Sequence, residues 1–371
     1  MYSDLSDREL DIYSRQVALD DIGYEGQLRL RNSEVSIIGL GGLGSLIAQK
    51  CAGMGIGKIR LIDRDVVSRS DLHRQYLYSV DSIGLPKVEI AAKKLQELNP
   101  DVEILTFPES LNERNIDKLI KGVDVVLDGL DGPESRYIVN RICVRLNIPY
   151  IFGAAIQEFG NLSPIIPGQT FCLECFMPGL KDDDLPKCAV VGVHPSAIGI
   201  ITSLQVYEAI RILTGKEPIL KNKLFYLDLR EMTFQTFHID RSDRCNVCGS
   251  HPEGAPAPIQ ERLIQETCSR DGRRNFVILP VNEITLDIDQ LCKIIKDREY
   301  KIKNQGELGI AYESPLGMRF SLLESGVLIV QIPPGFGESP LKDVLNEYRY
   351  IIVDCMGFAP EVVPDSEKDT L

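Results

Sequence analysis

Short apolar runs alternate with longer amphipathic stretches over the first two thirds of the chain. Val35, Ile37 and Ile38 make an apolar strand, a glycine-rich turn follows, and Leu43 to Ala52 carries helical periodicity. Lys58 to Ile62 is a second strand, ending at Asp63. This β-α-β unit predicts a parallel sheet with helices on its faces. The alternation goes on with a helix over Lys87 to Leu98, stopped by Asn99-Pro100, a strand over Val102 to Thr106 and a helix over Glu113 to Ile120. Val123 to Leu127 reads as a buried strand ending in Asp128, Ser135 to Leu146 as a helix and Ile148 to Phe152 as a strand. From Glu158 the pattern turns hairpin-like, interrupted by one long helix over Ser196 to Leu213. An open α/β sheet with a later antiparallel part fits this order.

The flanks differ from this middle. Residues 1–30 predict one or two short helices, with Ser6 and Glu9 spaced as a capping box. Residues 252–260, PEGAPAPIQ, have linker composition. Beyond them, strands and two helices, over Asp287 to Lys296 and near Pro340 to Glu347, predict a small α+β domain over 261–371 of unassigned role. There Cys355 is expected to follow a strand. The central domain would span residues 31–251.

A length of 371 residues supports more than one domain. Lys+Arg 41 against Asp+Glu 54 gives a net charge of -13, which disfavours a nucleic-acid-coating protein. No apolar run is expected to reach the roughly 18 residues of a spanning helix, and the polar, acidic start lacks a secretory signal. The expectation is a cytoplasmic protein with no membrane contact. Its ten cysteines then point to metal or catalysis rather than to disulfides.

Three groups of residues carry chemistry. Gly39, Gly41, Gly42 and Gly44 form a GxGxxG between strand and helix, where a tight turn presents free N–H groups to a phosphate. With Asp63 placed to hold ribose hydroxyls, this makes the sheet Rossmann-like but leaves NAD and ATP both open. Asp65, Asp71, Arg74, Gln75 and Lys87, with Asp128 and Asp131, add phosphate clamps and a candidate Mg²⁺ carboxylate, which hydride transfer does not need. Cys172, Cys175, Cys245 and Cys248 are two CxxC pairs far apart in the chain, the ligand set of a closed zinc clip rather than of a small finger. A redox CxxC is the other reading of either pair alone.

Together these features resemble the ubiquitin-activating-enzyme superfamily in its MoeB, ThiF and HesA-like branch. The resemblance covers roughly residues 8–250, through YSRQ at 13–16, GLGGLG at 39–44, LIDRDVVSRSDLHRQ at 61–75, GLPK at 84–87, Asn99-Pro100, LDGLDGPESR at 127–136, both CxxC pairs and CAVVGVHPSAIGIITSLQVYEAIRIL at 188–213. It implies an adenylyltransferase that binds ATP, Mg²⁺ and Zn²⁺ and activates the C-terminal glycine of a ubiquitin-like sulfur carrier ending in Gly-Gly. By position, Asp63 would hold the ribose, Arg74 and Lys87 the triphosphate and Asp131 the Mg²⁺. Arg15 would reach the site of the partner in a homodimer. Cys188, in a crossover loop over about 176–196, matches a cysteine that can accept the activated acyl group.

Two positions depart from the family pattern. Asp71 stands where Asn is usual, adding negative charge beside the phosphates, and Gly132 stands where a side-chain amide is usual. They keep open a different C-terminal carboxylate, such as that of a peptide, or a non-catalytic nucleotide- or partner-binding relative.

Overall fold

A computed structural model describes residues 4–112, 114–182, 191–259, 262–268, 274–336 and 340–365. Cys188 and the middle of the expected crossover loop lie outside the described residues. Three N-terminal helices, α1 (Asp7–Ile12), α2 (Ser14–Val17) and α3 (Gly23–Arg31), lead in, and the Ser6/Glu9 capping box is formed. The alternating part follows as β1 (Glu34–Ile38), α4 (Gly42–Gly53), β2 (Lys58–Ile62), α5 (Lys87–Leu98), β3 (Glu103–Phe107), α6 (Ile116–Ile120), β4 (Val125–Asp128), α7 (Pro133–Leu146) and β5 (Tyr150–Ile156). Then come β6 (Phe159–Ile165), α8 (Leu173–Phe176), α9 (Pro195–Leu213), β7 (Lys223–Asp228) and β8 (Thr233–His238).

These eight strands form one sheet in the order β3-β2-β1-β4-β5-β6-β7-β8. The pairs from β3 to β5 are parallel and those from β5 to β8 antiparallel. The expected mixed sheet is therefore observed. Successive strand residues point to opposite faces, so both faces need apolar cover. Ile37, Leu61 and Leu127 pack towards α4, α5 and α9, whereas Ile38, Ile62 and Val126 pack towards α6 and α7. This explains why the strands read as continuous apolar runs rather than as alternations.

Helix α9 departs from expectation. By length and composition its 19 residues could cross a membrane. It is instead the core helix over the sheet, burying Ala197, Ile198, Ile201, Val206 and Ala209. Helix α6 begins at Ile116, later than the pattern suggested.

The C-terminal unit has β9 (Ile264–Cys268), β10 (Arg274–Ile278), α10 (Ile288–Asp297), β11 (Lys301–Gln305), β12 (Gly309–Glu313), β13 (Arg319–Leu323), β14 (Leu328–Ile332) and α11 (Pro340–Arg349). Its antiparallel sheet runs β11-β12-β13-β14-β10-β9 and packs Phe276, Phe320, Leu322 and Val330 against Leu291, Ile295 and Val344 of the helices. Cys355 ends a π-helical turn, Tyr350–Cys355, that continues from α11; it does not follow a strand. The apolar run Tyr350-Ile351-Ile352-Val353 looks like a strand, but Ile351 and Ile352 are adjacent and both buried, which a half-exposed strand does not allow.

Candidate nucleotide site and cysteine centre

Strand β1 lies between β2 and β4, and the chain leaves these strands towards opposite faces of the sheet. The crevice beyond the strand ends at such a switch point is the usual ligand position of an open α/β sheet. Gly39 takes φ +84°, and a Cβ there would come within 2.6 Å of the Gly129 carbonyl oxygen beyond β4. A Cβ on Gly44 would come within 1.7 Å of the Gly39 carbonyl oxygen. The turn thus closes only because two backbones touch. Gly41 caps α4 without any side-chain hydrogen bond, which leaves the first-turn N–H groups for an anion.

Asp63 leaves the end of β2 and binds the turn back onto its own loop. Its Oδ2 accepts from Leu40 N–H at 2.6 Å and its Oδ1 from Asp65 N–H at 2.6 Å. Burial pushes the Asp63 carboxyl up to about 6, against the pull of Lys87. The Lys87 ammonium is buried and lies 3.1 Å from Asp65 Oδ2 and 4.0 Å from Asp71 Oδ2. Burial alone would lower the lysine, but Asp65, Asp63 and Asp71 outweigh it and hold Lys87 above its ordinary range. Asp65 is likewise raised by burial and lowered by more through Lys87 and Arg64.

Asp71 is buried and fully used. It accepts from Ser68 N–H at 2.9 Å, from Arg74 at 3.1 Å and from Gln75 Nε2 at 2.9 Å. The negative charge that replaces the usual amide is therefore offset by Arg74 and Lys87. Among the described residues the buried Gln75 Oε1 has no hydrogen-bond partner, and Gln75 Nε2 stands 4.0 Å from where a Cβ on Gly41 would lie.

Across the crevice, Asp131 is exposed in the turn between β4 and α7. Gly132 caps α7 without a side chain of its own, and a Cβ on it would meet Asp182 Oδ1 at 2.6 Å. Asp182 instead accepts from Glu134 N–H at 3.1 Å, so a carboxylate from the first part of the expected crossover loop does the capping that a local amide would do. Gly39, Gly41, Gly42, Gly44, Asp63, Asp65, Asp71, Arg74, Gln75, Lys87 and Asp131 all border this strand-end region. Arg15 does not. Its neighbour Gln16 donates to Met54 O at 3.1 Å, just past the far end of α4, which is about 18 Å long.

Asp128 was expected among the strand-end charges, and Arg136 had no task in the sequence reading; both instead build the floor of the site. Asp128 is buried; its Oδ2 accepts from Arg136 at 3.0 Å and from Tyr150 O–H at 2.6 Å, while its backbone carbonyl accepts from Gln205 at 2.9 Å. Burial would lower Arg136, yet Asp128 and Tyr150 raise it, so the guanidinium stays charged and, with Asp128, forms a scaffold under Leu130. Tyr78 O–H donates to Leu40 O at 2.9 Å and props the glycine turn from the other side. An arginine one helical turn inside α7, eight residues after a strand-end aspartate, was the available signal. His194 N-caps α9 through Ser196 N–H at 3.1 Å, with its neighbour Val193 bridged to Gln157.

The four cysteine sulfurs lie within 4.8 Å of one another. Cys172 is 3.6 Å from Cys245, Cys175 is 3.4 Å from Cys248, and Cys172 is 4.0 Å from Cys175. A tetrahedron of sulfurs at about 2.3 Å from zinc has edges of roughly 3.8 Å, so this set fits the ion. Hydrogen bonds with the Cys172 and Cys248 thiols pull Cys175 below the ordinary thiol range, while the neighbouring sulfurs and burial raise Cys172. Cys172 is the N-cap of α8 and Cys175 lies within it, whereas Cys245 and Cys248 come from the turn after β8, 73 residues later.

Comparison with known proteins bears on both centres. The ThiF family description matches residues 13–247. The SAMP-activating enzyme E1 of Haloferax volcanii is 34% identical over 262 residues, covering 70% of this chain and 96% of that protein. The sulfur carrier protein adenylyltransferase of Thermus thermophilus is 36% identical over 250 residues, covering 66% and 92%. The adenylyltransferase and sulfurtransferase MOCS3 of Drosophila ananassae is 39% identical over 254 residues, but this chain spans only 56% of its length. Among solved structures, E. coli MccB with MccA-N7isoASN aligns with a TM-score of 0.59 and 26% identity, covering 64% of this chain and 75% of that one. A match that runs from the N-terminal helices into the second cysteine pair, with relatives above 30% identity over nearly their whole length, means that this protein belongs to the ThiF family.

Proposed function

We propose that the protein uses ATP to adenylate the C-terminal glycine of a ubiquitin-like sulfur-carrier protein, for sulfur transfer in cofactor biosynthesis of the molybdopterin or thiamine type. The observation that carries this reading is Lys87, a buried cation held by Asp65 and Asp71 beside Arg74 at the edge of a glycine turn. Those are the groups that a triphosphate needs and a hydride donor does not. The names of the two relatives matched over nearly their whole length support the same reaction.

In this reaction a carboxylate oxygen of the carrier attacks the α-phosphorus. A carbon-bound oxygen gains a bond to phosphorus, the bond between the α- and β-phosphates breaks, and pyrophosphate leaves with the electron pair. The carboxylate is already a nucleophile, so the protein must chiefly neutralise and orient charge. The first-turn N–H groups of α4 face phosphate, Asp63 accepts from the ribose hydroxyls, and Lys87 and Arg74 exchange their carboxylate partners for phosphate oxygens. Asp131 is assigned to hold Mg²⁺, whose charge offsets that of the phosphates.

Arg15, placed away from its own crevice, would serve the other site of a homodimer. Cys172, Cys175, Cys245 and Cys248 would hold a structural Zn²⁺. The antiparallel edge offers a docking face for the carrier: β8 is the outermost strand and exposes Phe234 and Phe237. A cytoplasmic location accords with this reading.

ATP–pyrophosphate exchange with Mg²⁺ tests it, with and without ubiquitin-like carriers from the same cell and with Asp131→Ala as the blank. Exchange that requires one carrier with its terminal glycine intact is the expected result. Exchange stimulated by a short peptide C-terminus instead would favour the second reading, to which the likeness to MccB structures points. Nucleotide binding with no exchange under any of these conditions would leave a non-catalytic relative.

A further inference from the structure

The family match stops at Val247, before the six-stranded sheet begins, and leaves that sheet without a task. It touches the rest of the chain at Pro108 and Arg114, and several further contacts fall on one segment. Asp63, Asp65, Asp71, Arg74, Gln75 and Lys87 all lie between the end of β2 and the first turn of α5. That segment closes on itself: Val66 and Pro86 form a bridge, Gly84 N–H donates to Val67 O at 2.9 Å, and Lys87 N–H donates to Asp65 O at 2.9 Å.

The C-terminal unit grips both ends of this loop. At one end Arg64 donates to Gln265 Oε1 of β9 at 2.7 Å. At the other, Glu89 stands two residues after Lys87 in α5. Its two carboxylate oxygens accept from the backbone N–H groups of Glu307, at 3.0 Å, and Leu308, at 2.9 Å, in the turn between β11 and β12. Asn304 donates to Asp81 O at 2.7 Å. Between these polar contacts the two backbones come close. Gly84 takes φ +90°, and a Cβ there would stand 2.7 Å from Ala311 Cβ; one on Gly309 would stand 2.9 Å from Pro86 Cγ.

Helix α5 has no cap of its own to fix its start. Pro86 is the N-cap residue and makes no side-chain cap hydrogen bond. What holds the N-terminal turn is therefore the bridge to Val66 and the C-terminal turn seated on Glu89, whose charge also suits a helix N-terminus. The Lys87 ammonium has little slack, because it is buried with Asp65 Oδ2 at 3.1 Å and Asp71 Oδ2 at 4.0 Å. We propose that the C-terminal unit positions the ATP site, fixing the start of α5 through Glu89 and thereby Lys87 relative to the glycine turn. Glu89 touches no substrate in this role; it acts through Lys87.

This inference rests on the proposed use of ATP, so the test first establishes that step. Full-length wild-type protein is titrated with Mg·ATP by calorimetry and assayed for ATP–pyrophosphate exchange with its carrier. The same measurements are then made on Glu89→Ala, Glu89→Gln and Asn304→Ala. The expected result for Glu89→Ala is a rise of about tenfold in both Kd and KM for ATP with a smaller change in kcat, as small misplacements of a clamp produce. Glu89→Gln keeps one acceptor oxygen and should fall between Glu89→Ala and wild type. Asn304→Ala, at an exposed contact, should move KM in the same direction by a smaller factor.

A merely stabilising appendage would lower the melting temperature and leave Kd and KM of the folded fraction unchanged in all three variants; that result overturns the proposal. Should Glu89→Ala fail to fold, Glu89→Gln and Asn304→Ala decide by the same readout. Wild-type protein that binds no Mg·ATP would overturn the adenylation reading, and the positioning role with it, before any variant is compared.

Discussion

The nucleotide crevice and the cysteine centre belong to one family fold but are prepared in opposite ways. In the cysteine centre the four sulfurs already stand at ligand separation, 3.4 to 4.0 Å for the closest pairs. A metal ion would complete it without rearrangement of the sulfurs. In the crevice the cations are engaged with protein carboxylates: Lys87 with Asp65, and Arg74 with Asp71. On the proposed reading, a bound phosphate would have to displace those partners. The difference follows from chemistry, because thiols tolerate one another at close range whereas the buried Lys87 and the partly buried Arg74 need a counter-charge while no ligand is bound. A structural site can be preformed; a binding site for a polyanion must be held in balance.

The strongest way to break this contrast is at Asp131, the exposed carboxylate outside the balanced set. Asp131→Ala should reduce exchange by at least about a hundredfold, the scale for losing a group that offsets transition-state charge, with the melting temperature unchanged. Undiminished exchange would remove Asp131 from the assigned role. Next comes the preformed centre. Cys248→Ser should lower zinc content to near zero and the melting temperature by roughly 5–10 °C, since the remaining ligands cannot close the shell. A chelator should do the same to wild-type protein and add nothing in the variant. If the chelated wild type melts where the untreated protein does, the cluster is not a metal clip.

A third effect concerns pH. Asp63 binds its proton more tightly in the folded chain than in the unfolded one, because its carboxyl is raised from 3.8 to about 6. The folded state therefore holds the extra proton between those values, and stability falls as pH rises through that window. Asp63's favourable contribution is present below about 3.8 and gone above about 6. Asp63→Asn lacks this titration, so urea midpoints should show wild type losing ground to the variant between pH 4.5 and 7.5. An equal gap at both pH values would contradict the shift. The smallest effect is expected from Gly132→Asn, which restores a local amide but crowds Asp182. Exchange should change by less than about threefold, since the amide replaces one cap with another. A much larger loss would mean that Asp182 does more than cap α7.

Much of this was legible in the sequence. The parallel half of the sheet, its glycine turn, the strand-end charges and the cysteine pairs all follow from local periodicity and spacing. What was not legible depends on contacts between distant residues. Nothing near Asp71 announces that it accepts from Ser68, Arg74 and Gln75 at once, so in sequence it reads as an unfavourable charge. Gly132 reads as a lost amide until Asp182, 50 residues on, is found against it. Helix α9 reads as a core helix only once the sheet it covers is in place. Glu89 looks like an ordinary first-turn glutamate, and its partners lie 218 and 219 residues away.

The contact between the Gly39 and Gly129 turns, with Gly44 pressed onto it, has a consequence for how this chain can change. The clashes there are with backbone atoms, at 1.7 Å for Gly44, 2.2 Å for Gly129 and 2.6 Å for Gly39. Steric conflict with a side chain can be relieved by trimming the neighbour; conflict with a carbonyl cannot. In a saturation library these three positions should accept glycine alone, and no second-site suppressor should rescue them. The charges of the crevice can vary only in compensating pairs, and its floor must be inherited whole.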